Sequence, residues 1–444
     1  MIDNVVDLLG RIKHEEAFYY WSLFRQAQPG RFAVLKIGGE CLENDLESIA
    51  NDLAFLSKLG LIPIVVHGWG KTLTKRLEAK GIATVFTPEE DRYTDEEVFP
   101  HVLEVASETR QRLVKAIASK GTPVAGVEYE AKVIITKDKQ DSGYGAHNGE
   151  IVLINPQPLL QLASQAMIPV LSPIGVSAGG VKLFNINGDT VGAKLVEAID
   201  PVKYLLLTST HGILDNPDVA IGRTIDEIVL RRDFERLVEQ GIVTQGALKK
   251  VIEAKRSLEM RINGDDKSVQ ITKPGDIPFE LFTHKGKGTL VRLGYVINEP
   301  ISLANVNQRV IKDITERNFG QKLVDDYFVN GQKFVYLERH AKGLGIVMLN
   351  AVDGIPYLDI LVTDNGYRGN GLATDIIHRI GPKVFWRTKF SRDATEILYR
   401  KIADGSQKFI GVDGELYAGY WIGLTFGEAE KAVNYMQKKP SNFK

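Results

Sequence analysis

The spacing of hydrophobic positions changes along the chain and predicts where its helices and strands lie. Near the amino terminus, Ala17, Tyr20, Trp21 and Phe24 have the spacing of one apolar helix face, with charged residues between them. From Arg31 onward, short apolar runs alternate with longer amphipathic stretches. This alternation is typical of a parallel sheet with helices packed on it. We therefore predict an aromatic amino-terminal helix followed by an α/β domain.

Individual runs predict the strands and the domain boundaries. Strands of the first domain are predicted at FAVLKIGG, LIPIVVHG, IPVLSPIG and YLLLTSTHGIL. KVIITKDK and GEIVLINP predict an inserted hairpin that reaches over one edge of the sheet. After Gly294 a new set of strands and helices begins. The predicted organisation is an aromatic helix over residues 1–30, an α/β domain over 31–293 and a second α/β domain over 294–444.

Composition excludes several classes of partner. The chain of 444 residues is too long for one ordinary core. Lys+Arg 55 against Asp+Glu 56 gives a formal net charge of -1, so neither nucleic acid nor an anionic membrane is an expected partner. The single cysteine, Cys41, allows no internal disulfide and no cysteine-built metal site. Because no apolar run reaches membrane-spanning length, we expect a soluble cytoplasmic protein.

Four short stretches of the first domain predict a site for phosphate chemistry. Each lies at the end of a predicted strand or the start of a helix, where glycine lets backbone N–H groups approach an anion. The residues concerned are Lys36, Gly38 and Gly39 in LKIGGE, Gly68 and Gly70 in HGWGKTL, Asn185, Asn187 and Asp189 in FNINGD, and Lys249 in GALKK. Each stretch alone is more often an ordinary turn or a solvated lysine. Together they suit phosphoryl transfer, which requires positioning and charge neutralisation.

In this order, the four stretches resemble the amino-acid kinase family, and within it the N-acetylglutamate kinases, over residues 31–292. The resemblance implies that ATP with Mg is bound at the glycine turns and that N-acetylglutamate is the phosphoryl acceptor. The implied contacts are Lys36 and Lys249 to the transferred phosphoryl group, Asp189 to both lysines, and Arg92, Asn185 and Asn187 to the acyl amino acid.

Trp69 departs from the family pattern, in which the third position of HGWG is glycine or a small residue. If Trp69 needs a positive φ, its side chain is costly there. If it does not, the indole must point away from the nucleotide or fill the pocket. We therefore predict weak or absent kinase activity, with the domain kept for regulation and assembly. A fully bifunctional enzyme is the alternative.

Two features resemble the feedback-inhibited kinases of this family. The segment from Glu280 to Val291, which includes Gly286 and Gly288, resembles their arginine-binding end. The amino-terminal helix resembles the extra helix that they use for inhibition and oligomer assembly. The resemblance implies arginine as an effector and a homo-oligomer. In the alternative interpretation, Trp21 and Phe24 cover the core of their own domain.

The second domain contains a glycine-rich turn between the strand YLDILVTD and the helix ATDIIHRI. At a helix start such a turn offers backbone N–H groups to a pyrophosphate. The residues of the turn are Arg368, Gly369, Asn370, Gly371, Leu372 and Ala373. The turn resembles the acetyl-CoA loop of the GNAT superfamily, and VFWR and GYWIGL resemble the acetyltransferase half of the N-acetylglutamate synthase/kinases.

The resemblance implies that Tyr399 protonates the departing thiolate of coenzyme A, whereas its position alone equally suits a core tyrosine. Ile360 and Glu396 stand where the synthases have lysine and asparagine, and Arg387 is a candidate replacement cation. We expect an N-acetylglutamate synthase that acetylates glutamate with acetyl-CoA in arginine biosynthesis. The alternatives are an acetyltransferase for another amino acid and a non-catalytic arginine-binding regulator.

Overall fold

The computed structural model describes residues 14–87, 91–139, 144–216, 222–243, 245–260, 267–283, 286–329, 332–364, 367, 371–390 and 394–444. The chain divides into two compact units, Met1–Leu293 and Gly294–Lys444. In the described part of the chain, the helices are too short or too polar to cross a membrane.

The helices and strands of the first unit alternate over most of its length. Its helices are α1 His14–Phe24, α2 Gly39–Asn44, α3 Leu46–Lys58, α4 Gly70–Ala79, α5 Phe99–Ala118, α6 Gln157–Ser164, α7 Gly188–Ile199, α8 Leu230–Glu239, α9 Gln245–Glu259 and α10 Ile277–Phe282. Its strands are β1 Ala33–Ile37, β2 Ile64–His67, β3 Val124–Val127, β4 Ile134–Asp138, β5 Gly149–Ile154, β6 Ile168–Leu171, β7 Ile174–Ser177, β8 Leu183–Asn185, β9 Lys203–Leu207, β10 Glu227–Val229, β11 Ser268–Thr272 and β12 Thr289–Arg292.

Eight of these strands form one sheet in the order β10, β12, β11, β9, β1, β2, β6, β3. Neighbouring strands are parallel except for β11 and β12, which are antiparallel. A parallel sheet must be covered on both faces, and the central strands are apolar on both. Val34 and Leu35 of β1 are both fully buried, in two different apolar clusters.

The register of the central strands places three chain segments at one edge of the sheet. Ile37, the last residue of β1, pairs with His67 at the end of β2 and with Leu207 at the end of β9. Because these strands are parallel, the segments that follow all begin at this edge. The first two segments are the predicted glycine turns.

The remaining strands of the first unit form a smaller sheet in the order β5, β4, β7, β8. Strands β4 and β5 are antiparallel neighbours, so the hairpin predicted from KVIITKDK and GEIVLINP is present. Strand β8 ends at Asn185, and α7 begins at Gly188. This sheet therefore leads directly into the FNINGD stretch.

The amino-terminal helix α1 packs on its own unit. Phe24 is 1% exposed and its ring lies 5.2 Å from that of Phe32 and 5.8 Å from that of Phe282, between ring centroids. The indole N–H of Trp21 donates to the backbone oxygen of Leu59 at 3.3 Å. These contacts support the interpretation in which Trp21 and Phe24 cover the core of the first domain.

The second unit is built on one seven-stranded sheet. Its strands are β13 Ile301–Ser302, β14 Phe334–Leu337, β15 Gly343–Val352, β16 Ile355–Thr363, β17 Val384–Lys389, β18 Gly405–Ile410 and β19 Leu416–Ile422. Its helices are α11 Gln308–Phe319, α12 Leu372–Ile380, α13 Ala394–Ile402 and α14 Phe426–Lys438. The strand order is β13, β14, β15, β16, β17, β19, β18, and the β16–β17 pair is parallel. The predicted α/β class is confirmed in both units.

Strands β16 and β17 separate part of the way along their length. They pair at Tyr357 with Phe385 and at Leu358 with Trp386. Next to this point the register of β16 against β15 shifts, so that Asp359 has no partner in the ladder between Leu358 and Ile360. The divergence opens the sheet on the carboxyl side of β16, just before the glycine-rich turn.

Candidate functional site

Lys36 and Asp189 form an ion pair at the carboxyl edge of the large sheet. Lys36 belongs to β1, and Asp189 lies in the first turn of α7, where Asn187 caps the helix by accepting a hydrogen bond from the Asp189 N–H at 3.0 Å. The distance from Lys36 Nζ to Asp189 Oδ1 is 2.6 Å. A methyl group on Gly188 would lie 3.6 Å from Lys36 Cε and 3.9 Å from the His67 oxygen. The start of α7 therefore lies over both Lys36 and the second glycine turn.

The second lysine of this site is Lys250. Its ammonium group donates to Thr208 Oγ1 at 2.6 Å, directly after β9. Burial and the charge of Lys36 lower the pKa of Lys250, while Asp189 acts in the opposite direction. The charge of Lys249 acts on the carboxylate of Glu253. Neighbouring helix residues point about 100° apart, so Lys249 and Lys250 leave α9 in different directions, and the role predicted for Lys249 stays a prediction.

The two glycine turns contact each other through their backbones. A methyl group on Gly39 would lie 2.9 Å from Trp69 Cα and 3.1 Å from the Gly70 nitrogen. The Gly68 N–H donates to the Ile37 oxygen at 2.8 Å, which fixes the second turn against β1. The residues that precede α2 and α4, Gly38 and Trp69, make no side-chain capping hydrogen bond. The closely packed turns thus leave the first N–H groups of α4 without a side-chain cap.

Trp69 neither strains the turn nor projects into open space. It has φ -144° and ψ 17°, so the backbone needs no left-handed conformation. Its side chain is 5% exposed and packs with Leu73 and Leu77 of α4 and with Val102 and Val105 of α5. The indole fills the apolar space between these helices. Neither objection to the loop therefore applies, because Trp69 has a negative φ and its indole points away from the glycine turns.

His67, which precedes the turn, is a buried side chain hydrogen-bonded to Ser172. It is fully buried, and its Nε2 lies 2.9 Å from Ser172 Oγ. Burial, together with the positive charge of Arg110, lowers the pKa of His67 to about 3. The imidazole is therefore neutral at physiological pH and serves the packing of the strand end.

Arg92 lies against the second glycine turn. Its guanidinium donates to Thr74 Oγ1 at 2.7 Å and to the Gly70 oxygen at 3.1 Å. Its carbon Cζ lies 4.8 Å from the ring centroid of Phe86. Burial lowers the pKa of Arg92. The residue predicted to bind a carboxylate is thus held at the edge of the phosphate site.

Asn185 and Asn187 meet the segment that carries Arg92. The Asn185 amide donates to Thr94 Oγ1 at 3.0 Å, and the Asn187 amide donates to Asp91 Oδ1 at 3.2 Å. The three residues predicted to bind the acyl amino acid are therefore brought together, next to the Lys36–Asp189 pair.

In the second unit, the described part of the glycine-rich turn has the expected helix context. Gly371 has φ +85° and is the residue before α12, and Leu372 and Ala373 are its first residues. A positive φ favours glycine at this position. Arg368, Gly369 and Asn370 lie outside the described residues.

Tyr399 of α13 lies in an aromatic group beside the diverging strands. Its ring is 5.4 Å from the ring of Trp386, at an interplanar angle of 67°, and 5.4 Å from the ring of Tyr420. Tyr399 is 8% exposed. This environment fixes the orientation of the phenol. It is compatible with Tyr399 as the acid for the departing thiolate and with Tyr399 as a core tyrosine.

The two positions that depart from the synthase pattern, Ile360 and Glu396, have structural partners. Ile360 is buried in an apolar cluster with Ile346 and Val362. Glu396 forms an ion pair of 2.7 Å with Arg400. Ile360 therefore supplies no cation, and the charge of Glu396 is compensated.

Arg387 also has a structural role. It donates to the backbone oxygens of Met436 at 2.6 Å and of Pro440 at 2.8 Å, and its Cζ lies 4.3 Å from the ring centroid of Tyr417. These contacts cap the carboxyl end of α14. They do not support the substrate-binding role predicted for Arg387.

Comparison with known proteins decides the family. The sequence profile of the amino acid kinase family matches residues 31–266, which include both glycine turns, Lys36, Asp189 and Lys250. The chain belongs to this family. The acetylglutamate kinase of Xanthomonas campestris pv. campestris is 32% identical to it over 92% of this chain and 94% of that protein. The acetylglutamate kinase of Xylella fastidiosa strain 9a5c is 30% identical over 96% of this chain and 98% of that protein.

More distant similarities extend over both units. The mitochondrial protein ARG5,6 of Candida albicans is 27% identical over 97% of this chain, which spans 50% of that protein. The N-acetylglutamate synthase of Neisseria gonorrhoeae, solved with coenzyme A and N-acetyl-glutamate, has a TM-score of 0.64 and 19% identity. This match covers 93% of this chain and 99% of the synthase, so the two proteins share their fold. The amino acid kinase fold is therefore followed by a unit whose fold is shared with that synthase.

Glu280, Gly286 and Gly288 also meet in the structure. The carboxylate of Glu280 accepts hydrogen bonds from the N–H groups of Lys287 and Gly288. A methyl group on Gly286, which has φ +60°, would lie 2.4 Å from Glu280 Oε2. Burial raises the pKa of Glu280, and the two backbone donors oppose that shift. Within the predicted arginine-binding segment, Glu280 thus binds the backbone N–H groups of Lys287 and Gly288.

One polar cluster of the second unit escaped prediction from sequence. The side chain of Asp359, at the point where β16 and β17 diverge, is fully buried. It lies 2.9 Å from Lys439 Nζ and 3.7 Å from Lys333 Nζ, and it accepts a hydrogen bond of 2.9 Å from the Tyr327 hydroxyl. The charges of the two lysines lower the pKa of Asp359 against the effect of burial. Its partners are distant in sequence, so no local motif announces them.

Proposed function

We propose that the first unit is an active acetylglutamate kinase, which transfers the terminal phosphoryl group of Mg-ATP to the side-chain carboxylate of N-acetylglutamate. The observation that supports this most is the Lys36–Asp189 pair with the half-buried Lys250 beside two contacting glycine turns. The full-length similarity to acetylglutamate kinases of two bacteria supports the choice of acceptor.

The proposed mechanism relies on charge neutralisation and positioning. Phosphoryl transfer between two anions requires cations at the equatorial oxygens of the moving group, and Lys36 and Lys250 provide them. Asp189 holds Lys36 in place through the 2.6 Å ion pair. The N–H groups of the glycine turns bind the phosphates, while Arg92, Asn185 and Asn187 bind the acyl amino acid. Mg bound with ATP supplies further neutralisation of the phosphates.

The proposal favours the fully bifunctional enzyme over the prediction of weak or absent kinase activity. The sequence argument for weak activity depends on Trp69, whose negative φ and core position remove its structural basis. In the test, the purified chain receives Mg-ATP and N-acetylglutamate, and hydroxylamine traps the acyl phosphate. We expect product that depends on both substrates. A chain that binds both substrates and forms no acyl phosphate would contradict the proposal.

We propose as a second activity that the other unit acetylates the amine of glutamate with acetyl-CoA. The observation in its favour is the divergence of β16 and β17 beside Tyr399, in a fold shared with an N-acetylglutamate synthase. The acetylated product would be the acceptor of the kinase, which places the chain in arginine biosynthesis, with arginine as effector at the Glu280 turn.

An amino-acid panel with acetyl-CoA tests this second activity. Release of coenzyme A with glutamate supports it, and release with a different amino acid identifies another acceptor. Tyr399→Phe should lower turnover with coenzyme affinity kept, whereas Tyr417→Phe, a tyrosine bound to Asp413 at 2.7 Å, serves as the control. Tight arginine binding without any release of coenzyme A would favour the regulator instead.

A further inference from the structure

Lys71 and Glu40 form an ion pair across the two glycine turns. The distance from Lys71 Nζ to Glu40 Oε1 is 2.6 Å. Each is the second residue of the helix that follows its turn, Glu40 in α2 and Lys71 in α4. Since Gly39 lies against the backbone of Gly70, this pair stands at the point where the turns meet.

The carboxylate of this pair lies close enough to Lys250 to act on it. Glu40 acts electrostatically on the half-buried Lys250, whose pKa it raises against the stronger effect of desolvation. Glu40 thus puts a carboxylate next to a site built for phosphate. Without Lys71, this carboxylate would lose its ion-pair partner and repel the incoming phosphates.

The pair is also easily opened. The side chains of Lys71 and Glu40 are 60% and 37% exposed. An exposed ion pair contributes little to stability, because water screens the two charges and both long side chains lose conformational entropy when they are held in one geometry. A polyphosphate with several negative charges competes well for a lysine held in this way.

A second contact between the helices shows that their spacing does not depend on Lys71. Thr72 donates to Glu43 Oε1 at 2.6 Å, and Lys75 Nζ lies 2.9 Å from Glu43 Oε2. Helices α2 and α4 therefore stay together when Lys71 leaves Glu40.

We propose that Lys71 is a third phosphate-binding cation of the kinase site, which Glu40 holds in the free enzyme and which moves to the terminal phosphates when ATP binds. The proposal rests on the proposed kinase function, and it assigns a specificity role to a lysine of the HGWGKTL stretch for which the sequence predicts no part in the site. Glu40 then acts as its positioning residue and keeps it at the junction of the turns.

Calorimetry on the full chain with Mg-ATP and with AMP tests the proposal. Lys71→Met should raise the Kd for ATP about tenfold, the loss expected for one charge-assisted contact, and leave the Kd for AMP unchanged. Lys71→Arg should restore most of the ATP affinity. The matched control is Lys75→Met, on the same helix and 69% exposed, which should bind ATP as the unmodified chain does.

The outcomes separate this proposal from the kinase function. Equal ATP affinity for Lys71→Met and Lys75→Met overturns the role of Lys71, even where acyl phosphate is formed normally. A parallel loss of ATP and AMP affinity also overturns it, because it indicates a structural role. An unmodified chain that forms no acyl phosphate but loses ATP affinity with Lys71→Met overturns the kinase function alone. Absence of ATP binding to the unmodified chain overturns both.

Discussion

Gly192 of α7 lies so close to Tyr204 of β9 that a methyl group on the glycine would be 2.5 Å from the phenol oxygen. The same methyl group would lie 3.5 Å from Lys36 Cβ. Asp189 lies in the first turn of α7, three residues earlier, so this contact sets how closely the helix carrying Asp189 approaches the strand carrying Lys36. Among the described residues, the Tyr204 hydroxyl has no hydrogen-bond partner.

The first prediction is that Gly192→Ala lowers both stability and kinase activity. Alanine favours a helix over glycine by about 1 kcal/mol, but forced contacts in a packed core cost about 1–3 kcal/mol. The displaced α7 would also separate Asp189 from Lys36. Adding Tyr204→Phe should restore both properties, because it removes the oxygen that the methyl group meets. Urea unfolding and acyl-phosphate assays measure the two effects. Equal losses of stability and kinase activity in the single and double variants would contradict this mechanism.

The second prediction separates the two neighbouring lysines of α9. Lys250→Met should reduce kcat of the kinase by about 10²–10³-fold, as expected when one preorganised charge at the transition state is lost. Lys249→Met should retain most of the activity, because Lys249 acts on Glu253. Steady-state assays of acyl phosphate at saturating substrates decide between them. A larger loss with Lys249→Met would restore the assignment made from sequence.

The third prediction concerns Trp69 as a core residue. Because its indole is 5% exposed between α4 and α5, Trp69→Ala should lower the free energy of unfolding by about 3–5 kcal/mol. Trp69→Phe should cost less, since it keeps an aromatic ring in the cluster. Denaturant titration of both variants, with Lys75→Met as a surface control, tests this. A Trp69→Ala variant that is as stable as the unmodified chain and faster as a kinase would show that the indole hinders the loop.

The sequence allows the phosphate site to be predicted at the carboxyl edge of the sheet, because parallel strands end on the same side and glycine turns follow two of them. It does not settle which lysine of GALKK faces that edge, since the rotation of α9 depends on its packing against the sheet. The position of Trp69 depends on free space between α4 and α5, which no local pattern encodes. Arg387 looks like a free cation in sequence because its partners, the oxygens of Met436 and Pro440, lie about 50 residues away.

The last prediction concerns Asp52 of α3, which is 7% exposed and accepts a hydrogen bond of 2.7 Å from the Gly275 N–H. Burial raises the pKa of Asp52 to about 7, against the effect of this hydrogen bond, and the charge of Asp276 raises it further. In the unfolded chain the pKa of an aspartate is about 3.9. Between these two values the folded state binds more protons than the unfolded state. Stability contributed by this group is therefore complete below pH 4 and is lost as the pH rises to about 7.

Asp52→Asn removes this titration, so the stability of the first unit should become less dependent on pH. The contribution of Asp52 changes by roughly 1.4 kcal/mol per pH unit within this interval, and the asparagine variant should gain on the unmodified chain as the pH rises from 5 to 8. Thermal unfolding at both pH values measures the difference. Glu47→Gln, which removes an exposed carboxylate from the same helix, should keep the pH dependence of the unmodified chain. If Asp52→Asn and Glu47→Gln show the same pH dependence of thermal unfolding, Asp52 is ionised in the folded state. Its burial then does not control the pH dependence of stability.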